Sequence, residues 1–413
     1  DKGWKKEGYI QLGWSIDRNA TTKEYNTEND VGDIWIDVNS PAITLYAVWA
    51  KAYYQNTTTN IKYITLNEAI EGSATGTTIK VLDNREETTT GTVPSDKKLT
   101  LNLNGKTITF SGANSILNNG TLTITGSGKI TGNHQKHTIT NYNTGIVNVN
   151  LDNETGYNNG TGGIIDNIDY ENYAKAVYNI GTLNINSGII QNSATAETIS
   201  NTSTPYAITN TGTLNINGGI VRSISSDVAT QYGIYIAGGT LNMNGGTIEA
   251  VGTAVYTGGT SNVTITGGTI KTGGTANTSG RTAINHKSTG NLEINGTSLV
   301  NISSKFERGI INQLEGTVTV NNPNATIQGK TQSIYNALSG KINVNNGTLI
   351  TATNDAIRNN GTGIINITGG TLTGVNYAVY NYAGGEVNVS GGTITSSKYD
   401  GIYNYANGKV NIT

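Results

Sequence analysis

Cysteine is absent from these 413 residues, which excludes disulfides and thiolate metal sites. Charge is scarce as well. Only 13% of the residues are Asp, Glu, Lys or Arg, the net charge is −2 and the pI is near 6.0. A chain so balanced carries no electrostatic footprint for nucleic acid or an anionic membrane. No signal peptide and no long apolar run stands in it, so a soluble piece is expected, without membrane insertion. Ligand spacing of the EF-hand kind is missing. The Gly-Gly pairs end strands and lead into strands, whereas a phosphate cradle needs a helix N-terminus. No cofactor and no metal is therefore expected.

Glycine and tyrosine are what the chain has in quantity: 54 Gly, and 22 Tyr against 2 Phe. So much glycine is compatible with disorder, but 35% apolar residues in regular alternation argue for ordered strands. One stretch, Gly-Thr-Leu-Asn-Met-Asn-Gly-Gly-Thr-Ile at 239–248, returns with small changes at 212–221, 363–372 and 385–394. Its last copy, 408–413, stops partway, so further turns or a cap are expected beyond Thr413, with export or anchoring signals outside this piece. A repeat of this kind specifies a solenoid, in which each unit buries its apolar face only against its neighbours.

Aligning the inward aliphatic before the Gly-Gly step gives Leu103, Ile124, Val149, Ile185, Ile216, Met243, Ile265, Ile294, Val320, Val344, Ile367, Val389 and Ile412. Steps such as 243 to 265 and 367 to 389 suit a three-sided coil of short strands, and the longer steps must hold loops. About thirteen coils stacked at the inter-strand spacing make a rod of roughly 60 Å. The expected fold class is all-β, a parallel β-helix over 99–413, with a linker and N-terminal cap over 52–98 and a small separate module over 1–51.

Within each coil, parity assigns the roles. On the first face, Val177, Ile208, Ile234, Val255, Ile284, Ile310, Ile334, Ile357, Val379 and Ile402 point inward. Two residues later stands an inward column with Asn179, Asn210, Asn312, Asn336, Asn359, Asn381 and Asn404, interrupted by Ile236, Thr257 and His286. Stacked amides hydrogen-bond along a rod axis and satisfy turn backbone, so this column is read as structural. Between the two runs an outward column, Tyr178, Thr209, Tyr235, Tyr256, Asn285, Ile311, Tyr335, Arg358, Tyr380 and Tyr403. Tyr206, Tyr232, Tyr377 and Tyr399 precede it, and Tyr382 and Tyr405 follow the ladder. Tyr178, Tyr235, Tyr256, Tyr335, Tyr377, Tyr380, Tyr382, Tyr403 and Tyr405 form a candidate ligand face. Such rings either stack on one another or offer an amphipathic, low-entropy platform to a sugar or protein. On the second face the outward residue of Leu-Asn-Ile is mostly Asn or Thr, from Asn184 to Asn411.

The ends of the chain add two resemblances. Residues 1–51 hold all four Trp, in Gly-Tyr-Ile-Gln-Leu-Gly-Trp-Ser (8–15) and Leu-Tyr-Ala-Val-Trp (45–49), with Leu45, Ala47 and Trp49 expected on one strand face. These motifs resemble the Listeria–Bacteroides repeat, a small β-grasp-like module of Gram-positive and other bacterial surface proteins. That resemblance implies a surface spacer or adhesive module and no enzyme. After a Thr/Asn linker at 52–60, Thr65-Leu-Asn-Glu-Ala-Ile-Glu71 reads as a helix with a Thr65/Glu68 capping box and Leu66, Ala69 and Ile70 on one face. A short helix followed by alternating strands at 78–82 and 98–108 resembles the capped N-terminus of right-handed parallel β-helices of the pectate-lyase-like superfamily. The resemblance implies a right-handed coil whose open end the helix plugs, and an inward Asn ladder.

Catalysis finds less support. Enzymes of that superfamily use clustered Asp with a basic residue or His, and here the carboxylates are scattered. Asp355 and Asp400 hold the same place two coils apart, with Tyr377 between and no neighbour that obviously raises either pKa; roughly 9–10 Å separates such positions. That lies at the upper edge of the ~6.5–9.5 Å range of inverting glycosidases. Asp152, Glu154, Asp166, Asp169 and Glu171 crowd 151–173, a calcium possibility better read as solvated loop charge. His134, His137 and His286 are read as structural. Three functions stay open: a monomeric bacterial cell-surface adhesin or stalk binding a glycan or protein on a host or neighbouring cell, a β-helix polysaccharide lyase or glycoside hydrolase, and an ice-binding solenoid. Glu293, Lys341, Glu386 and Lys409 on or beside the Asn face count against the last.

Overall fold

In the computed structural model, the described residues are 5–26, 43–132, 137–153, 162–168, 175–194, 206–223, 232–272, 281–305 and 307–413. From Thr78 onward, successive short strands pair in parallel with the strand one coil away, forming three sheets that run the length of the solenoid. Two sheets have 13 strands and the third has 16, because two antiparallel strands and one further rung are added at its N-terminal end. Thirteen rungs give about 12 turns from first to last. The chain is thus an all-β parallel β-helix.

The alternation explains why it closes. The faces contribute aliphatic columns: Val177, Ile208, Ile234 and Val255 in register on the first, two on the second (Leu183, Leu214, Leu241 and Val263, with Ile185, Ile216, Met243 and Ile265), and Ile190, Val221, Ile248 and Ile270 on the third. All of these are buried, and they belong to one cluster from Tyr54 to Val387. Each buried Ile, Val or Leu contributes about 1.5–3 kcal/mol of transfer free energy. The alignment over the second face holds from Ile124 to Ile412 without a slip. Its first member is corrected. Ile124 pairs with Leu101, and Leu101 with Ile79, whereas Leu103 lies past the strand end and is buried at the corner. The turn after Leu103 uses Asn104 and Gly105, both at positive φ, and makes this corner one residue longer than that of the next coil.

Each Gly of the Gly-Gly corner has its own reason. A Cβ on Gly218 would lie 2.3 Å from the Asn186 carbonyl oxygen of the previous coil, so the first glycine permits rungs to stack. The second, Gly219, sits at φ +71°, where a Cβ is strained.

At the N-terminal end, α1 (Leu66–Glu71) lies over the core with Leu66, Ala69 and Ile70 buried, and its Thr65/Glu68 capping box is formed. The buried Glu87 carboxylate accepts from the Leu66 N–H at 3.1 Å and the Tyr54 hydroxyl at 2.6 Å. Lys97 Nζ donates to the carbonyls of Ile70 and Glu71 at the opposite end, at 2.6 and 2.8 Å. Both charges match the helix polarity. The stretch 52–60 is more than a linker: Tyr54–Asn56 is a strand, antiparallel to Lys62–Tyr63 and Thr78–Val81, that blocks the sheet edge. Burial of Tyr54 and its Glu87 contact push the phenol well above its ordinary pKa.

Before it, Tyr9–Ser15 and Tyr46–Lys51 form a two-stranded antiparallel sheet with a bulge at Gln11/Gly13. Trp14 faces Ala47 and bridges to Tyr25. Val48, on the face opposite Leu45, Ala47 and Trp49, is the most buried residue of its strand. Trp4 and Trp35 lie outside the described residues.

Candidate functional site

The inward Asn column forms as two amide ladders. Asn118 donates to Asn141 at 2.7 Å, Asn141 to Asn179 at 2.7 Å and Asn179 to Asn210 at 2.6 Å. Farther on, Asn312, Asn336, Asn359, Asn381 and Asn404 are linked in the same sense at 2.7–3.0 Å. Each amide also donates to a glycine carbonyl two or four residues on, such as Gly212, Gly340, Gly363 and Gly408. Sequence reasoning missed Asn118 and Asn141, which stand at the same place two rungs earlier.

In the gap at Ile236, Thr257 and His286, hydroxyls take over the carbonyls. Ser261 Oγ donates toward the Ile236 carbonyl and Ser288 Oγ toward that of Ser261, both at 2.9 Å. His286 Nε2 lies 3.0 Å from the Gly290 carbonyl and Nδ1 3.1 Å from Thr257 Oγ1. A carbonyl only accepts, so Nε2 carries the proton and Nδ1 accepts from the threonine. Burial lowers the His286 pKa below its ordinary 6.5, keeping the ring neutral. With no N–H left for the next rung, Asn312 Oδ1 is buried without a partner.

On the second face the outward amides run the opposite way: Asn184 donates to Asn148, Asn215 to Asn184 and Asn242 to Asn215, each at 2.8 Å. The series resumes from Asn343 to Asn411. A second row, not anticipated from sequence, links Asn150, Asn186, Asn217, Asn244 and Thr266. Glu293 interrupts the first row and accepts from Asn295 at 2.9 Å.

The outward column of the first face is in register throughout, from Tyr178 to Tyr403. Its rings fall into groups. Tyr178 stacks on His137 at 4.9 Å. Tyr206, Tyr232, Tyr235 and Tyr256 form a half-buried cluster with centroids 5.1–5.4 Å apart, and Lys175 Nζ lies 4.5 Å from the Tyr206 centroid. Burial brings the Lys175 amine down to about 7. Arg308 covers Tyr335 at 4.3 Å.

The last group is larger and more open. Tyr377, Tyr380 and Tyr382 on one rung lie beside Tyr399, Tyr403 and Tyr405 on the next. Tyr382, Tyr399 and Tyr405 are 40%, 53% and 49% exposed, and the other three are half-buried between them. Tyr382 and Tyr405 are nearly parallel, 10° apart in plane and 5.4 Å between centroids. Arg358 bounds the group on the preceding rung, 4.4 Å over Tyr380 and 5.4 Å over Tyr382.

The register brings Asp355, Tyr377 and Asp400 into one line. Asp355 is buried beside Arg358 Nη1 at 3.5 Å, and Asp400 is exposed, so the two carboxylates do not face one space. No neighbouring charge raises Asp355, but burial lifts its carboxyl, against the lowering effect of Arg358. The acidic stretch also needs correction. Asp166 is not solvated; it is fully buried, 2.8 Å from Lys129 Nζ, and accepts from Gln191 and Ser193 at 2.9 and 2.7 Å. It opens an outward column of the third face, Asp166, Gln191, Arg222, Glu249 and Lys271, whose aligned polar residues were there to be read in the repeat. Glu154, Asp169, Glu171 and His134 lie outside the described residues. Among the described residues no group of three or more His, Asp or Glu is placed to hold a metal ion.

The chain matches no protein family, no curated protein and no solved structure.

Proposed function

We propose that this chain is a non-enzymatic adhesin or stalk segment of a bacterial cell surface, a rigid β-helix whose tyrosine platform binds a glycan or protein on a host or neighbouring cell. The platform at Tyr377–Tyr405 is the observation that carries this reading. Side-by-side rings with three outer members open to solvent offer a large amphipathic area that loses little entropy on contact. The resemblance of residues 8–50 to the Listeria–Bacteroides repeat supports an extracellular setting, and the resemblance of the coil to pectate-lyase-like helices supports a right-handed rod.

The alternative is a β-helix polysaccharide lyase or glycoside hydrolase. The raised Asp355 carboxyl, in line with Tyr377 and Asp400, favours it. Against it, Asp355 is buried under its arginine while a general acid must reach a glycosidic oxygen.

A glycan array and a panel of extracellular-matrix proteins, probed with the chain and with Tyr382→Ala/Tyr399→Ala/Tyr405→Ala, tests the first reading. Saturable binding that the variant loses is the expected result; equal binding by both proteins moves the site elsewhere. Release of reducing ends or unsaturated sugars from any bound polysaccharide, abolished by Asp355→Asn, would instead establish the enzyme.

A further inference from the structure

We propose that Tyr382 and Tyr405 are a site of oxidative cross-linking, joined ring to ring by a haem peroxidase and hydrogen peroxide into a dityrosine that staples one coil of the solenoid to the next. The proposal goes beyond the adhesive reading and holds whether or not the tyrosine platform also takes a ligand.

The backbone sets the pair. Asn381 and Asn404 stand opposite one another in the ladder, and the Tyr405 N–H donates to the Asn381 carbonyl at 2.8 Å. The two tyrosines that follow these asparagines therefore leave neighbouring rungs at the same place, about 4.8 Å apart along the axis. Their rings stack, 10° from parallel with centroids 5.4 Å apart, so coupling needs a small rotation of the rings and no movement of the backbone. Both are open to an oxidant, at 40% and 49% exposure. Tyr206 with Tyr232 and Tyr377 with Tyr403 come as near, at 5.3 and 4.8 Å, but those four rings are half-buried.

Composition directs oxidation to this place. Cysteine and methionine are the usual sinks for peroxide. Here cysteine is absent, the one methionine, Met243, is fully buried, and all four Trp lie within residues 1–51. In the coil, a one-electron oxidant therefore finds tyrosine. Neighbouring rings gather what it does: Tyr399, 53% exposed, lies 5.6 Å from Tyr377, which lies 5.2 Å from Tyr380, and Tyr380 lies 5.8 Å from Tyr382. An electron lost from Tyr399 is replaced through these contacts, which moves the radical to the stacked pair.

The chemistry balances. Each phenol gives up one electron and its hydroxyl proton, and the two radicals join through a ring carbon ortho to each oxygen. The hydrogens on those two carbons then move to the oxygens and restore both phenols. Two electrons and two protons have left in all, and one hydrogen peroxide takes them up as two waters at the peroxidase. The product does what a disulfide cannot do in a chain without cysteine. It closes one coil into a covalent ring and so removes chain entropy from its unfolded form.

The test treats the full chain, at low protein concentration, with a plant haem peroxidase and limiting hydrogen peroxide. The monomer should lose two hydrogens in mass, gain dityrosine fluorescence and yield on proteolysis a linked peptide pair holding Tyr382 and Tyr405. Tyr382→Phe and Tyr405→Phe keep both rings and remove one phenol, and each should abolish that linked pair. Tyr142→Phe, at an exposed tyrosine with no ring partner among the described residues, should leave it unchanged. Amide exchange in the strands at 379–381 and 402–404 should slow after cross-linking, while that at 98–102 stays the same. A bond mapped to Tyr206–Tyr232 or Tyr377–Tyr403, a bond formed only between two chains, or oxidation that ends on tryptophan without dityrosine overturns the assignment. A Tyr382–Tyr405 bond that leaves exchange unaltered overturns the staple.

Discussion

Replacing Asn336 by alanine removes the centre of the longer inner ladder, and the cost can be worked from its partners. Asn336 Nδ2 donates to Asn359 Oδ1 at 2.9 Å and to the Gly340 carbonyl at 2.8 Å, and its Oδ1 accepts from Asn312 at 3.0 Å. The residue is fully buried, so the substitution orphans an N–H on Asn312, a carbonyl on Gly340 and an amide oxygen on Asn359. At about 1–3 kcal/mol for each of the three unsatisfied buried groups, the expected loss is about 3–9 kcal/mol. Asn404 serves as control. It is exposed, accepts from Asn381 and donates to Gly408, and water replaces what alanine removes, so about 1 kcal/mol is expected there. A long repeat array need not unfold in one step, so a single denaturation curve is the wrong assay. Amide hydrogen exchange resolved by residue reads the local loss directly. Protection should fall in the strands at 308–312, 332–336 and 355–359 and stay unchanged at 98–102. Equal effects of the two substitutions, or a loss below about 1 kcal/mol at Asn336, would refute the view that the ladder holds the first face together.

Other expectations follow from single sites. Gly385→Ala places a Cβ 2.1 Å from Asn359 Nδ2 and 2.5 Å from the Gly363 carbonyl oxygen, and residue-resolved amide exchange in the strands at 355–359 and 379–381 should show a local loss of about 2–4 kcal/mol. His286 is held below its unfolded pKa by burial, so the unfolded chain binds the proton first as pH falls. Its contribution is full above pH 6.5 and is lost as pH drops from there through the lowered folded value. His286→Asn should abolish that slope in the opening free energies read by amide exchange at 282–286 and 308–312 between about pH 5 and 7.5, and should raise local stability by supplying the partner that Asn312 Oδ1 lacks. Thr65→Ala breaks the capping box of α1 and should cost about 1 kcal/mol, seen as faster exchange in the first coils only.

The solenoid was legible because parity forces it: a one-residue slip would turn every Ile and Val of a coil to solvent. The same logic placed the Tyr column and seven ladder Asn at their observed positions. It failed where a corner changes length, as at Leu103, since the Asn104-Gly105 corner holds one residue more than the next coil's and the extra buried Leu103 continues the alternation past the strand. Short antiparallel pairing was equally hidden, because Tyr54–Asn56 is too brief to show a period. At the candidate site outwardness was legible and exposure was not. Tyr235 and Tyr256 point away from the core and are half-covered by Tyr206 and Tyr232, contacts set by side-chain packing between rungs. Asp166 eluded the reading for the same reason, with Lys129 and Gln191 brought to it from neighbouring rungs.

Whether the outer tyrosines serve a ligand or the fold is decided by measuring binding and melting together on Tyr382→Ala/Tyr405→Ala. These rings are exposed and touch mainly each other and their neighbours on the platform, so the melting temperature should hold while saturable glycan or protein binding disappears. A melting temperature lowered by several degrees, in a chain whose unaltered form binds nothing, would contradict the account and make the platform a packing device.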